Sequence, residues 1–421
     1  MIEDILLQHK LEKERFLSQS YISREKLTSA KKFLEHNLIK VITGPRRSGK
    51  SVFSMLLLKD RKFAYLNFDD DNLAKINNTD EIVKAIFQVY PDSSFILFDE
   101  IQNLPRWEMF VNKLHRRGHN LVITGSNANL LSKELASVLT GRHQPFEILP
   151  FSFKEYLQAK DYKIDKKNMK LPQIQGEILN HLRMYIKNGG FPEIVVQGID
   201  PKSYLETLFD SILFKDVVKR YGLRLSQKIY DLAMYLIANF CCEFSFTKIK
   251  NILGFRSTNT VQNYLRYLEE AYLFFPLTRF SYKVKEQIKA PRKIYLIDNG
   301  LVLAKSFKLS KNMGRLMENL VFIELLRKGY KVSQDLFYYR TKNGREIDFV
   351  LKKGYKFHRL IQVCFDIGKP DTKKRELKAF LEASDELGCE DMLLLSWDHE
   401  KEEKIEGKKI KFIPLWKWLV V

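Results

Sequence analysis

Residues 38–58 read LIKVITGPRRSGKSVFSMLLL. The apolar run from Leu38 to Ile42 predicts a strand, and the apolar spacing after Ser51 predicts a helix. Between them stands Gly44-Pro45-Arg46-Arg47-Ser48-Gly49-Lys50-Ser51, which is GxxxxGK[ST] in strand–loop–helix context. Glycines at those positions let backbone N–H groups wrap phosphates, and the following helix adds the positive end of its dipole. Gly44 through Ser51 are therefore expected to hold the phosphates of ATP. Lys50 would reach the β- and γ-phosphates, and the Ser51 hydroxyl would ligate Mg²⁺.

The strands that follow fit the same purpose. FAYLNFDD (63–70) ends in acids, and SFILFDEIQ (94–102) is an apolar run closed by Asp99 and Glu100. An Asp at a strand end in such a protein holds Mg²⁺, and a neighbouring Glu orients and deprotonates water. The pair points to a hydrolase rather than a nucleotide kinase, whose nucleophile is a substrate. NLVITGSNANLL (120–131) ends in Thr-Gly-Ser-Asn, so Asn127 or Ser126 is a candidate γ-phosphate sensor, with plain turn chemistry the alternative. Arg142 precedes a fifth strand and is a candidate arginine finger for a neighbouring subunit, or else a surface arginine.

Composition bounds the rest. A chain of 421 residues exceeds what one core usually organises. Lys plus Arg number 71 against 51 acids, a formal charge of +20, which favours a polyanionic partner with DNA first. The four cysteines, Cys241, Cys242, Cys364 and Cys389, form no CxxC pair, so a reducing, cytoplasmic setting is expected. The charged first thirty residues argue against a signal peptide, and no apolar run approaches membrane-spanning length.

GPRRSGKS, ILFDEIQ, ITGSNANLLS, LTGRHQPFEILPFSFKEYL (139–157) and NGGFPE (188–193) together resemble the prokaryotic P-loop ATPases of the AAA+ class. Within that class the chain is similar to the group, common in archaea, with a C-terminal domain of restriction-endonuclease type. The resemblance implies an α/β fold whose parallel sheet has the sensor strand between the two Walker strands, a helical lid, and Mg-ATP hydrolysis. It divides the chain into an ATPase core (1–150), a helical lid (151–224), a winged helix (225–300) and a restriction-endonuclease-like domain (301–421). Arg183 or Arg220 of the lid are candidate phosphate contacts.

From about residue 226, KIYDLAMYLIANF reads as one helix, FTKIKNILG as a short helix stopped by Gly254, and RSTNTVQNYLRYLEEAYLFF as a third opening on Ser/Thr/Asn capping chemistry, a helix-turn-helix pattern. Thr258, Asn259, Gln262, Asn263 and Arg266 fall on its predicted outer face, where they could reach bases and phosphates. Residues 273–298 read as a hairpin whose Lys283, Lys285, Lys289, Arg292 and Lys293 form a phosphate-binding stripe.

In the last domain Glu318 sits on the apolar side of a predicted helix (312–330), an unusual place for a carboxylate. A strand in DLFYYRTKNGREIDFVL, the strand LIQVCF, a basic helix (371–383) and the strand DMLLLS follow. The resemblance assigns Glu318, Asp348 and Gln362 as ligands of Mg²⁺ in a nuclease site. It also expects a lysine where Cys364 stands. Either the lysine has moved, to Lys374 or Lys378, or the fold is kept for binding. Ordinary buried polar residues in a hairpin are the third alternative. The expected function is Mg-dependent ATP hydrolysis coupled to DNA binding or remodelling. A nucleotide-gated protein-interaction switch and an ATP-regulated metal-dependent nuclease are the alternatives. A homo-oligomer and a protein partner stay open, and no membrane partner is expected.

Overall fold

The structure is a computed structural model of the chain and describes residues 2–76, 78–126, 141–164, 167–224, 226–305 and 313–420. Two compact units emerge: Met1–Phe151 with Glu270–Tyr272, and Ser152–Glu269 with Leu273–Val421.

The first unit is built on a five-stranded parallel sheet. Its strands are β1 (Ile39–Thr43), β2 (Phe63–Asn67), β3 (Phe95–Asp99), β4 (Asn120–Gly125) and β5 (His143–Glu147). They lie in the order β2-β3-β4-β1-β5, so β4 separates β1 from β3 as the resemblance implied. Alternate residues serve opposite faces. Val41, Leu66, Phe98 and Ile123 pack towards the helices Ile2–Ser18, Thr79–Val89 and Trp107–Arg116. Ile42, Tyr65, Leu97 and Val122 pack with Phe53 and Leu57 of the helix Lys50–Leu58. Burial on both faces explains why these strands read as nearly unbroken apolar runs. Parallel pairing also brings the C-terminal ends of β1, β3 and β4 to one edge, where such sheets place their ligands.

The second unit opens with the helices Phe153–Ala159, Pro172–Asn188, Pro192–Gln197 and Pro201–Ser211, the last running on as a π-helix over Ile212–Lys219. A capping box starts it: Glu155 N–H donates to Ser152 Oγ, and Ser152 N–H donates to Glu155. Three more helices follow, Ser226–Ala238, Phe246–Leu253 and Thr258–Glu270. They accompany a three-stranded antiparallel sheet of β6 (Glu243–Phe244), β7 (Phe274–Thr278) and β8 (Arg292–Leu296), in the order β6-β8-β7. The expected hairpin over 273–298 is present as β7 and β8, but its tip is the short helix Val284–Lys289.

The rest of the unit is the helix Met313–Arg327 and a six-stranded mixed sheet, β13-β14-β12-β11-β10-β9. The strands are β9 (Leu336–Arg340), β10 (Glu346–Lys353), β11 (Lys356–Cys364), β12 (Met392–Ser396), β13 (Lys401–Ile405) and β14 (Lys408–Pro414). The stretch 335–351, expected as one strand, is two: β9 and β10 pair antiparallel across a turn in which Gly344 takes φ +77°. The helix Pro370–Leu387 joins β11 to its parallel neighbour β12 and buries Phe380, Ala383 and Leu387 against the sheet.

The motif Asn188-Gly189-Gly190 acquires a physical role here. Gly190 N–H donates to Asp298 Oδ2 at 2.7 Å, and Gly300 N–H donates to Oδ1 at 2.8 Å. Gly189 holds φ +80°, and a Cβ there would lie 1.9 Å from Asp298 Oδ1, so the absence of a side chain at Gly189 lets the carboxylate approach the backbone. Burial pushes the Asp298 carboxyl up to about 6, against the pull of those two N–H groups and Arg327. Gly189→Ala should lower the urea midpoint by an amount corresponding to about 1–3 kcal/mol. Gly198→Ala, at φ +66° with nothing near its Cβ, should cost only the conformational strain, about 1 kcal/mol.

Because the folded pKa of Asp298 lies above its unfolded value of 3.8, the folded protein binds this proton more tightly. Stability should therefore rise as pH falls from 7 towards 4, by at most ~3 kcal/mol from this group. Denaturation midpoints across that range should show the rise flattened in Asp298→Asn.

Candidate nucleotide site and a second charged cluster

The loop between β1 and the helix Lys50–Leu58 takes the backbone shape that its sequence foretells. Gly44 has φ +146°, and a Cβ on it would sit 2.1 Å from the Ile148 carbonyl oxygen. Gly49 has φ +89° and Arg47 φ +65°, so the loop turns back over itself and opens into the helix N-terminus. Lys50, buried to 4% exposure, donates to the Pro45 carbonyl at 3.2 Å and lies 3.5 Å from Glu100 Oε1.

One hydroxyl organises the acids across the strand ends. Thr124 Oγ1, on β4, donates to Asp99 Oδ1 and accepts from the Glu100 N–H at 3.0 Å. Tyr65 OH, on β2, donates to Asp99 Oδ2 at 3.4 Å. Burial and the neighbouring Glu100 push Asp99 up to about 6, against hydrogen bonds from Thr124 and Ser51 and the charge of Lys50. Burial also pushes Glu100 up, but Lys50, the Gln102 amide and Arg46 outweigh it and hold the carboxyl below its ordinary value. Glu100, at φ +49°, is thus an ionised carboxylate poised beside the loop lysine.

These residues fit a magnesium nucleotide. Ser51 and Asp99, whose carboxyl the Ser51 hydroxyl helps to hold down, form the oxygen pair that Mg²⁺ prefers. The Ser48 and Ser126 hydroxyls are buried without a hydrogen-bond partner among the described residues, and such orphans call for a ligand oxygen or a water. Arg142 is exposed, its carbonyl accepting from Ile39 N–H at 3.0 Å. Asn127, the other sensor candidate, lies outside the described residues. Sequence reasoning missed Thr124. The signal was a Thr at the end of the strand lying beside the Asp-Glu strand.

A second charged cluster lies in the other unit. Lys293, on β8, is 1% exposed. Its Nζ lies 2.5 Å from Glu318 Oε1, 2.8 Å from Glu346 Oε1 and 3.2 Å from Asp348 Oδ1. The expected Glu318, Asp348 and Gln362 do come together, but the lysine that joins the two carboxylates had been assigned to a phosphate-binding stripe. That assignment is corrected: Lys293 points into the protein, because β8 is buried along most of its length. Lys374 and Lys378 are exposed on the helix Pro370–Leu387, and neither is among the cations paired with these carboxylates. Lys283, Lys285 and Lys289 remain exposed. Arg183 lies over the Trp397 ring at 5.9 Å.

The backbone explains the convergence. Pairing of β10 with β9 shifts register between Ile347 and Val350, an irregularity that brackets Asp348 and re-aims side chains locally. Asn319 grips β8, accepting from Leu296 N–H at 2.8 Å and donating to its carbonyl at 3.1 Å, which sets the helix bearing Glu318 beside the strand bearing Lys293. Arg340 clasps Glu243 at 2.7 and 3.0 Å and reaches Glu346 at 3.1 Å. Burial, more than the ammonium opposes it, raises Glu318 and Asp348 above the usual carboxylate range. Lys293 stays well above its ordinary value despite burial, because Glu318 and its neighbours surround it.

Thr124→Val should leave the fold and nucleotide affinity largely intact while lowering ATP turnover by about 10–100-fold, since it frees both acids from their common tether. Steady-state kcat and KM for ATP check this.

Residues 36–157 match the family described as AAA domain. Residues 179–311 and 313–418 match two domains of unknown function, DUF8612 and DUF4143. An uncharacterised protein of Methanocaldococcus jannaschii is 38% identical over 399 residues, covering 91% of this chain and 88% of that protein. One from Haemophilus influenzae is 32% identical over 418 residues, covering 95% and 99%. Among solved structures, the Walker-type ATPase of Pyrococcus abyssi aligns over 68% of this chain and 96% of its own, at 14% identity and a TM-score of 0.45. AMPPCP-bound DnaA from Aquifex aeolicus aligns over 58% and 86%, at 19% identity and a TM-score of 0.25. Its identity to the two uncharacterised relatives over nearly their whole length places the chain in their family, and its residues 36–157 are a P-loop ATPase domain of the AAA+ class.

Proposed function

We propose that this protein hydrolyses Mg-ATP and uses the cycle to bind or remodel DNA. The observation that carries the ATPase half is the Lys50–Glu100 pair beside Asp99 and Thr124. Ser51 and Asp99 would hold Mg²⁺, which neutralises charge on the β- and γ-phosphates when bound. Lys50 exchanges its contact with Glu100 and the Pro45 carbonyl for phosphate oxygens. Glu100, relieved of the ammonium, then accepts a proton from the attacking water at its carboxylate. Thr124 anchors the Glu100 backbone through its N–H while the loop N–H groups stabilise the phosphate charge. Arg142 would act on a neighbouring subunit's nucleotide, which requires a homo-oligomer.

The DNA half rests on the helix Thr258–Glu270. Its Val261, Leu265 and Leu268 are buried, whereas Asn259, Gln262, Asn263 and Arg266 are exposed on the opposite side. The sequence of three helices and three strands around it has the order expected of a winged helix, with Lys283, Lys285 and Lys289 at the tip. The net charge of +20 supplies the non-specific attraction to phosphates.

A second reading, a nucleotide-gated grip on a protein, is favoured by the same tip. Tyr282, Val284 and Ile288 are strongly exposed, at 70%, 70% and 69%, and apolar groups there suit a protein partner better than a phosphate backbone.

Duplex or branched DNA at low salt should raise ATP turnover, and failure of every DNA structure tested would remove the DNA half. Lys50→Ala should abolish tight ATP binding. Glu100→Gln should keep binding and lower turnover by at least ~100-fold; normal turnover would take Glu100 out of its role as base. Retention of one defined protein from nuclease-treated extract in ATP but not ADP would favour the second reading.

A further inference from the structure

The carboxylates that the resemblance assigns to Mg²⁺ already enclose a cation of their own. Lys293 Nζ stands 2.5, 2.8 and 3.2 Å from oxygens of Glu318, Glu346 and Asp348. The other polar atoms around it are committed as well. Asp348 Oδ2 accepts from Val363 N–H at 2.9 Å, and Glu318 Oε1 accepts from the Tyr295 hydroxyl at 2.7 Å. Gln362 turns its carbonyl to Asp348 N–H at 3.1 Å and gives its amide to Glu376 at 2.5 Å. Among the described residues no group of three His, Cys, Asp or Glu side chains is arranged to hold a metal ion.

A divalent ion and an ammonium cannot share this centre. Mg²⁺ requires near-octahedral oxygen ligands at about 2.0–2.1 Å, and it would have to expel a charge that has no other buried partner. Lys293 has little freedom to leave. Its strand is paired on both sides, with Glu243 of β6 and Leu277 of β7 opposite it, and Asn319 fixes Leu296 on the same strand. Cys364, where the resemblance expects a lysine, is buried, and burial raises its thiol to about 11, so it is an uncharged group at neutral pH.

We propose that Lys293 is the resident cation of this carboxylate site, that it takes the place a catalytic divalent ion would occupy, and that the C-terminal sheet therefore binds without metal-dependent cleavage. The same ammonium fastens the three-stranded module, through β8, to the helix Met313–Arg327 and to β10. This inference stands on the cluster alone and survives whether or not DNA proves to be the partner.

Mn²⁺ binding to the full chain without nucleotide, read from the free-ion electron paramagnetic resonance signal, tests it. The unsubstituted protein and Asp348→Asn should bind the same amount of Mn²⁺, because this site contributes none. Lys293→Met should gain a site with a dissociation constant of about 10⁻⁴ M or tighter, and the gain should vanish in the double variant Lys293→Met/Asp348→Asn. Mn²⁺ should also raise the lowered thermal midpoint of Lys293→Met. Binding by the unsubstituted protein that Asp348→Asn removes would overturn the proposal. So would Mn²⁺- or Mg²⁺-dependent DNA cleavage that Asp348→Asn abolishes. Both measurements need only protein with Lys293 intact, so they decide the matter even where Lys293→Met fails to fold.

Discussion

In the nucleotide site everything depends on how two adjacent acidic residues are held beside the loop lysine, and Thr124 is where both are tethered. Its hydroxyl gives its proton to Asp99 and takes the Glu100 N–H, so one side chain on the middle strand sets both acids. Asp99 is raised by burial and by Glu100, whereas Glu100 is lowered overall by Lys50, Gln102 and Arg46. Burial thus dominates at Asp99, whereas the cations and the Gln102 amide dominate at Glu100. The order β3-β4-β1 makes this possible, because it puts the threonine strand between the acid strand and the loop strand.

The second unit uses the same currency in another way. Its charged groups run Glu243–Arg340–Glu346–Lys293–Glu318 and Asp348, alternating in sign across elements from both of its sheets. Breaking such a buried pair is costly because a charge is left without a partner. The Asp298 carboxylate, held by Gly190 and Gly300 N–H groups, ties the preceding helices to the same body by hydrogen bonds rather than by an ion pair.

Much of the first unit was legible in the chain. The eight loop residues, the Asp-Glu pair and the alternation of strand and helix could be read directly, since each depends on neighbours a few positions away. Thr124 was missed because its importance comes from a strand 25 positions distant. In the second unit Glu318, Asp348 and Gln362, expected to meet, do lie together, and the outer face of the helix Thr258–Glu270 is exposed as its spacing foretold. The stretch 335–351 was read as one strand because the turn between β9 and β10 is short. Lys293 was placed in solvent because it stands in a run of basic residues, Lys289, Arg292 and Lys293, whose neighbours are exposed or half-buried.

By itself, then, the sequence determined the phosphate loop and the acids that serve it. Glycines with positive φ, a lysine and a helix N-terminus do their work within eight consecutive residues. Tertiary structure alone decided which cation meets the C-terminal carboxylates. Lys293 reaches acids 53 and 55 positions away, and a lysine's local sequence does not record whether its ammonium ends in water or among buried carboxylates. Only the packing of β8 against the helix Met313–Arg327 and β10 makes the second outcome the one of lower free energy.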